Sequence, residues 1–473
     1  MAGIGFELQK LMKSGGIFGQ LGAIGHGAVI AAGPWIFTIL AIALITLTTE
    51  GALGRAAVAE FRVNIIYAFA LSLLATAPIV IVATRMVSDA IYAKKYQVIS
   101  HVFFAALTFG GFVSTLVTLA LYGLVFTLSS SQLFIGVIAC SLVGMIWVAL
   151  AFCSAVRDFR GITIAFASGL VMAVAGGITA TIYEQGTKGL VWTFNIGLTV
   201  TLFLLIIRVL LTFPDPIVSP GKALATFARA GKRHWPMALA AIISVAAIWI
   251  DKWVMWLGPA GEILPTGFIH APIYDSAMFV AYLVIIPALS LFIIDLESDF
   301  FVSYQRYYAD IKAHATLQQI RENAADLTRQ TYSSLRRILI IQATLCAIMV
   351  LLSPLIIESL GMQYQQTAIL RLGTVGALFQ FLFLASSSLL LFFNRNRQFF
   401  YLQLLFLVLN AALTYVTMHM GEEYYGFGYL VACLCASLFS IATLDRALRE
   451  LTYHTFMLAT TQSGEKHWLG EWS

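Results

Sequence analysis

The chain has 473 residues, of which 60% are hydrophobic and only 11% charged, and a mean hydropathy of +0.88 leaves too few polar side chains to cover a water-soluble globule. The formal net charge of +5 arises from 28 Lys and Arg against 23 Asp and Glu. Because the basic residues are spread over many loops rather than gathered on one face, they do not make a nucleic-acid surface.

Twelve apolar runs, each long enough to cross about 30 Å of hydrocarbon, predict an all-α integral membrane protein. In chain order they lie at about 17–48, 63–84, 102–128, 133–155, 162–182, 189–212, 236–256, 272–294, 336–357, 368–392, 399–418 and 425–444. Even-numbered loops and the two tails hold 23 of the 28 Lys and Arg, and odd-numbered loops hold the other 5. This asymmetry predicts both termini in the cytoplasm of a multi-pass inner-membrane protein. Lys10 and Lys13 precede the first run as they would in a signal peptide, but the run is too long for one and lacks a small-residue cleavage site. Six runs on each side of a basic stretch divide the chain into a six-helix bundle over 1–212, a basic linker over 213–235, a second bundle over 236–445 and a tail over 446–473.

The first run carries Gly15, Gly16, Gly19, Gly22, Gly25 and Gly27, followed by Gly33-Pro34-Trp35. Small residues permit close helix packing, and proline removes a helical hydrogen bond. Gly33 and Pro34 are therefore a candidate hinge, with Pro78 and Pro287 offering similar bends in the second and eighth runs. His26 and Asn195 are polar groups inside predicted spans, expected to face either a cavity or a neighbouring helix. The five cysteines all fall inside apolar runs and read as small buried hydrophobes.

The seventh and eighth runs carry the densest polar constellation: Trp249-Ile250-Asp251-Lys252-Trp253 closes one and Tyr274-Asp275-Ser276 opens the next. The tryptophans fit an interfacial belt and Asp251 with Lys252 fit headgroup-level charges. Asp275, near the start of an apolar span, is expected to seek Lys252, Arg62 or Arg371 as counter-charge, making an outward gate of these five groups.

Between 295 and 337 the apolar positions take helical spacing. Phe300, Phe301, Tyr304, Tyr307, Tyr308 and Ile311 share one face of a first helix, and Thr316 with Gln319 fits a capping box opening a second. This amphipathic hairpin is expected on the cytoplasmic side, its aromatic face packing on the protein, lying in the lipid interface or docking a partner.

No phosphate-binding Gly-x-x-x-x-Gly-Lys-Ser/Thr run, paired histidines of metal spacing or Gly-x-Ser-x-Gly elbow occurs, and no loop is long enough for a catalytic domain. The chain is therefore expected to be no enzyme, to hold no cofactor or metal, and to draw its energy from elsewhere.

The opening Met1-Ala2-Gly3-Ile4-Gly5-Phe6-Glu7-Leu8, the Gly33-Pro34-Trp35 bend, Trp249-Ile250-Asp251-Lys252, and Tyr274-Asp275-Ser276-Ala277-Met278-Phe279 continuing to Ile286-Pro287-Ala288-Leu289 together resemble the PelG family of bacterial inner-membrane transporters, within the superfamily of polysaccharide flippases and multidrug exporters. The resemblance spans the chain. It implies two six-helix bundles and export of the Pel polysaccharide, an amino-sugar polymer rich in N-acetylgalactosamine, in biofilm formation. It also implies partner membrane subunits, with a cytosolic glycosyltransferase and a cyclic-di-GMP receptor. Consistent with a polymer of neutral or weakly charged sugars rather than a lipid-linked pyrophosphate, the first run holds no arginine, while Trp35, Trp249, Tyr274 and Tyr282 offer flat apolar faces with polar edges. Belt or core packing accounts for each ring equally well. A proton- or sodium-coupled exporter of small or lipid-linked substrates is the first rival, and would want a midplane acid on the first run. An intramembrane acyltransferase would need His26 as its catalytic base, and a structural scaffold would move nothing.

Overall fold

In a computed structural model, residues 8–12, 16–156, 159–217 and 219–461 are described. The first half contributes α1 (Gly16–Leu53), α2 (Arg55–Tyr92), α3 (Gln97–Val125), α4 (Ser130–Val156), α5 (Phe159–Ile182) and α6 (Gly186–Thr212). Next come α7 (Pro220–Arg233), α8 (Trp235–Trp256), a β-hairpin of β1 (Glu262–Ile263) and β2 (Ile269–His270), α9 (Pro272–Leu283) and α10 (Ile285–Asp295). The rest is α11 (Phe301–Lys312), α12 (Leu317–Ser359), α13 (Gln366–Phe392), α14 (Asn396–Met420), α15 (Phe427–Arg449) and α16 (Leu451–Thr461). Among the described residues, 12 helical stretches are long and apolar enough to cross a membrane, with α9 through α11 counting as one of 41 residues. With no water in the bilayer core, every backbone group must be paired inside its own segment, and these runs pair theirs as helices.

Most helix contacts fall within two sets, which α1 on α10 and α2 on α8 join. In the first, α5 packs on α6 and α1, and α4 on α2, α3 and α6; in the second, α13 packs on α15, α9 and α12, and α14 on α8 and α15. Small residues set the closest crossings. A Cβ on Gly169 of α5 would sit 1.9 Å from Thr201 Oγ1, and one on Gly197 of α6 would sit 2.5 Å from the Gly169 carbonyl oxygen, so the two backbones touch only because both are glycine. Gly54, at φ +82°, is the whole connection between α1 and α2, a left-handed turn that a Cβ would strain.

The proline expectations resolve unevenly. α1 continues through Gly33 and Pro34, and α2 through Pro78. Pro287 has no N–H to give the Leu283 carbonyl, and the helix is interrupted at Val284, between α9 and α10. A five-residue π-helical turn, Leu296–Phe300, joins α10 to α11. The glycines of α1 pack closely where they meet other helices: a Cβ on Gly27 would approach Ser290 of α10 to 3.1 Å, and one on Gly33 would approach the Phe166 ring of α5 to 3.1 Å.

The hairpin at 295–337 takes the form expected, and its aromatic face packs on the protein, one of the three placements the spacing allowed. Thr316 and Gln319 make the capping box, and α12 then runs unbroken for 43 residues from the hairpin into the membrane. Of the face of Phe300, Phe301, Tyr304, Tyr307 and Tyr308, two residues are buried and three half-buried. Phe300 is 3% and Tyr307 0% exposed. Phe300 packs edge-on against Phe392 and Phe393, Tyr304 OH donates to the Phe392 carbonyl, and Tyr307 OH donates to Thr455 Oγ1. Aromatic surface of this size is buried wherever a neighbour offers itself, and the ends of α13 and α16 do so here. The linker also gains structure: α7 buries Ala223, Thr226, Phe227 and Ala230, with Phe227 stacked on Phe109 of α3, and leaves Lys222, Arg229, Lys232 and Arg233 exposed.

Candidate functional site

The polar constellation of the second bundle grows from one buried ion pair. Asp251, on the last turns of α8, is 0% exposed, and its carboxylate lies 3.1 Å from Lys252 Nζ. Two phenols complete the pair's coordination: Tyr274 OH of α9 donates to Asp251 Oδ2 at 2.9 Å, and Lys252 Nζ donates to Tyr282 OH at 3.1 Å while lying 4.3 Å from that ring's centre. The Tyr282 ring meets Tyr429 of α15 edge-on, and Tyr429 OH donates to Gln380 of α13. Trp249, 5% exposed, lies under the same ammonium at 5.7 Å. Trp249 and Asp251 are both buried inside the protein. Two adjacent residues supply both charges, so the pair arrives pre-assembled on one helix and the other helices close around it.

Asp275 departs from expectation. It forms an ion pair with none of Lys252, Arg62 and Arg371. Its Oδ2 accepts from Trp256 Nε1 at 2.8 Å and from the Ala271 backbone N–H at 3.0 Å, while Oδ1 is buried without a partner. Lys252 is taken by Asp251, Arg371 Nε donates to Ser353 Oγ at 2.8 Å, and Arg62 is exposed. The carboxylate is held instead by neutral donors and by its place in the first turn of α9, where the exposed N–H groups favour negative charge.

His26 and Asn195 meet neighbouring helices, and Asn195 Oδ1 is buried without a partner. His26 Nδ1 lies 3.3 Å from Thr163 Oγ1 of α5, and Asn195 Nδ2 donates to the Ile135 carbonyl of α4 at 3.0 Å. The side chains of Pro34 and Trp35 lie outside the described part of the structure, as does the opening segment before Leu8. A cavity inside the first bundle, lined by Phe37, Thr38, Phe69, Phe166 and Thr201 among others, measures about 30 Å³, room for one or two waters and not for a sugar ring. Among the described residues no cluster of three or more His, Cys, Asp or Glu is arranged to hold a metal.

What sequence inspection missed is a seam between the bundles. Tyr67 of α2 stacks on Trp256 of α8 with ring centres 4.9 Å apart and planes 25° from parallel, and meets Phe268 of the β-hairpin loop at 4.9 Å. Tyr122 and Phe126, at the end of α3, meet Phe268 at 5.3 and 4.6 Å. Tyr67 OH donates to the Ile269 carbonyl at 2.8 Å, and the Thr127 N–H donates to the Thr266 carbonyl at 3.2 Å. Val63, Tyr67 and Tyr122 of the first half thus join the apolar core of the second. The only signal in the sequence was aromatic residues near the ends of spans, which a lipid-interface belt explains as readily.

Comparison with known proteins places this geometry. The sequence profile of PelG, described as "Putative exopolysaccharide Exporter (EPS-E)", matches residues 1–456. The chain belongs to the PelG family. Among solved structures, an outward-facing multidrug resistance MATE family transporter of the MOP superfamily superposes with a TM-score of 0.63 at 15% identity, over 91% of this chain and 96% of that one. A MOP superfamily transporter from Pyrococcus furiosus gives 0.63 at 16%, with the same coverage. An inward-facing MATE family transporter gives 0.59 at 14%, over 90% of this chain and 99% of that one. At these identities the likeness is one of fold. No curated protein sequence matches the chain significantly. This PelG-family member is therefore a multi-pass, twelve-span protein with the fold of MOP superfamily transporters, in a family of exopolysaccharide exporters.

Proposed function

We propose that the protein moves the Pel polysaccharide, an amino-sugar polymer rich in N-acetylgalactosamine, from the cytoplasm across the bacterial inner membrane as a cytosolic glycosyltransferase elongates it. The observation that carries this reading is the PelG match over residues 1–456, on a chain with the fold of transporters. The sequence profile of a transporter and the absence of catalytic motifs fit a conduit rather than an enzyme. The basic loops favour a cytoplasmic placement of both termini, with the β-hairpin outside. In this reading the bundles over 1–212 and 236–445 move as bodies, α1 sliding on α10 at Gly27 and Ser290, with the interruption at Val284 before Pro287 as a natural bend. A cyclic-di-GMP receptor and the glycosyltransferase would meet the protein on its cytoplasmic face, through the exposed basic side chains of the 213–235 linker rather than the buried aromatics of α11.

Cells lacking this chain but retaining the glycosyltransferase are expected to make polymer and secrete none, with polymer accumulating inside. Undiminished secretion would overturn the function. A phosphatase fused into the β-hairpin loop should be active, and one fused after Arg449 inactive; the reverse pattern would invert the topology.

A further inference from the structure

We infer that the aromatic seam beside the β-hairpin is a gate between the bundles and also a sugar-binding subsite, whose rings part and stack on pyranose rings of the passing polymer. This inference rests on the export function proposed above and names where the glycan is held.

Three observations converge. First, the rings belong to both bundles: Tyr67, Tyr122 and Phe126 to the first, Trp256 and Phe268 to the second. No path between the bundles opens on this side without separating Tyr67 from Trp256. The hydrogen bonds across the seam, Tyr67 OH to the Ile269 carbonyl and the Thr127 N–H to the Thr266 carbonyl, are few and uncharged. No salt bridge among the described residues joins the two sides here, so the seam is held by ring contact and these two hydrogen bonds.

Second, a flat aromatic pair that separates leaves two apolar faces, and the C–H face of a pyranose ring is a surface of matching size and polarity. Sugar stacking exchanges one ring contact for another, so opening costs little when polymer is present and much when it is absent. An apolar lipid tail would also fit such faces.

Third, polar atoms against these rings distinguish the two. Tyr122 OH, Asn64 Oδ1 one helical turn before Tyr67, Thr266 Oγ1 beside the Thr127 contact, and Asp275 Oδ1 beside Trp256 are all buried without a hydrogen-bond partner. Buried polar groups are rarely left unpaired, and although others lie elsewhere in the fold, Asn195 Oδ1 and Gln342 Oε1 among them, these four gather at one ring cluster. They comprise two hydroxyls and two acceptor-only oxygens, which suit the hydroxyls and acetamido N–H groups of an N-acetylated sugar. Asp275 acts here as a positioning residue: its bond to Trp256 Nε1 fixes the indole plane that Tyr67 stacks on.

The test has two arms. In cells, Thr127→Cys with Thr266→Cys is bridged by a short reversible thiol crosslinker. Secreted polymer is expected to fall at least tenfold and to recover on reduction. Secretion that continues with the bridge complete overturns the gate. In the second arm, the purified full chain in lipid nanodiscs is titrated with N-acetylgalactosamine oligomers and, for comparison, with glucose oligomers. Affinity for the first is expected to fall about tenfold in Trp256→Ala and Tyr67→Ala, and less in Trp256→Phe, which keeps an aromatic face. Unchanged affinity in both alanine variants overturns the subsite. If deleting the chain abolishes secretion while both arms are negative, the seam inference fails and the export function stands. If deletion leaves secretion intact, the function itself fails.

Discussion

At the scale of single residues, the Asp251–Lys252 pair decides the energetics of the second bundle. Removing one member of a buried pair leaves an uncompensated charge, so Lys252→Met is expected to destabilise the protein by about 3–5 kcal/mol. Replacing the pair together, Asp251→Asn with Lys252→Met, should recover much of that loss, because the amide that replaces the Asp251 carboxylate still accepts from Tyr274 and no stranded ion remains; thermal unfolding of the three proteins in detergent makes the comparison. Asp275→Asn keeps an oxygen for Trp256 Nε1 but loses the charge that strengthens the bond. It should lower transport with little loss of fold, and equal secretion by variant and wild type would remove Asp275 from the gate. The sequence made the identities of Asp251, Lys252, Tyr274, Tyr282 and Asp275 legible, because ionisable groups in apolar runs stand out. Their pairing was not legible. Which of two nearby carboxylates takes one ammonium depends on side-chain direction around a helix, and neighbours in sequence won over the cross-helix pair.

Elements were easier to read than their contacts. Each span was visible as an apolar run, and the start of α12 as a capping box, since these are local properties of the chain. Thr316→Ala should cost about 1 kcal/mol, seen as faster hydrogen exchange over 317–321 with α13 unaffected. Gly169→Val should split the α5–α6 crossing and cost about 1–3 kcal/mol by overpacking. What covers the aromatic face of α11 was not legible: amphipathic spacing says that a face is covered, not by what, and the ends of α13 and α16 lie far along the chain. The β-hairpin carries its own pH sensitivity. His270 pairs across the ladder with Glu262, and its pKa is lowered from 6.5 chiefly by burial, with Glu262 raising it and Arg62 lowering it further. The folded form therefore binds its proton less readily than the unfolded one, so the hairpin's docking is complete above pH 6.5 and weakens as pH falls through and below that value. Labelling of a Thr266→Cys thiol should rise between pH 7.5 and pH 5, and His270→Asn should flatten the trend.

At the scale of the whole molecule, run count was enough for a twelve-span all-α chain, because bilayer thickness acts on every segment independently. The seam had no such signature. It forms from five rings drawn from α2, α3, α8 and the hairpin loop, and only the meeting of the bundles distinguishes those rings from an interface belt.

One proportion of the fold has a mechanical meaning. α12 holds 43 residues without a break, which at 1.5 Å per residue is about 65 Å of rod, roughly twice the thickness of the hydrocarbon it crosses. Nearly half of it, residues 317–335, precedes the apolar run, tied at its tip to α11. Such a rod is a lever with its fulcrum in the membrane: a tilt of about 10° at the hydrocarbon boundary carries the tip sideways by about 6 Å. Whatever rests on that tip would feel the bundle's motion enlarged, and pressing on the tip would tilt the bundle in return.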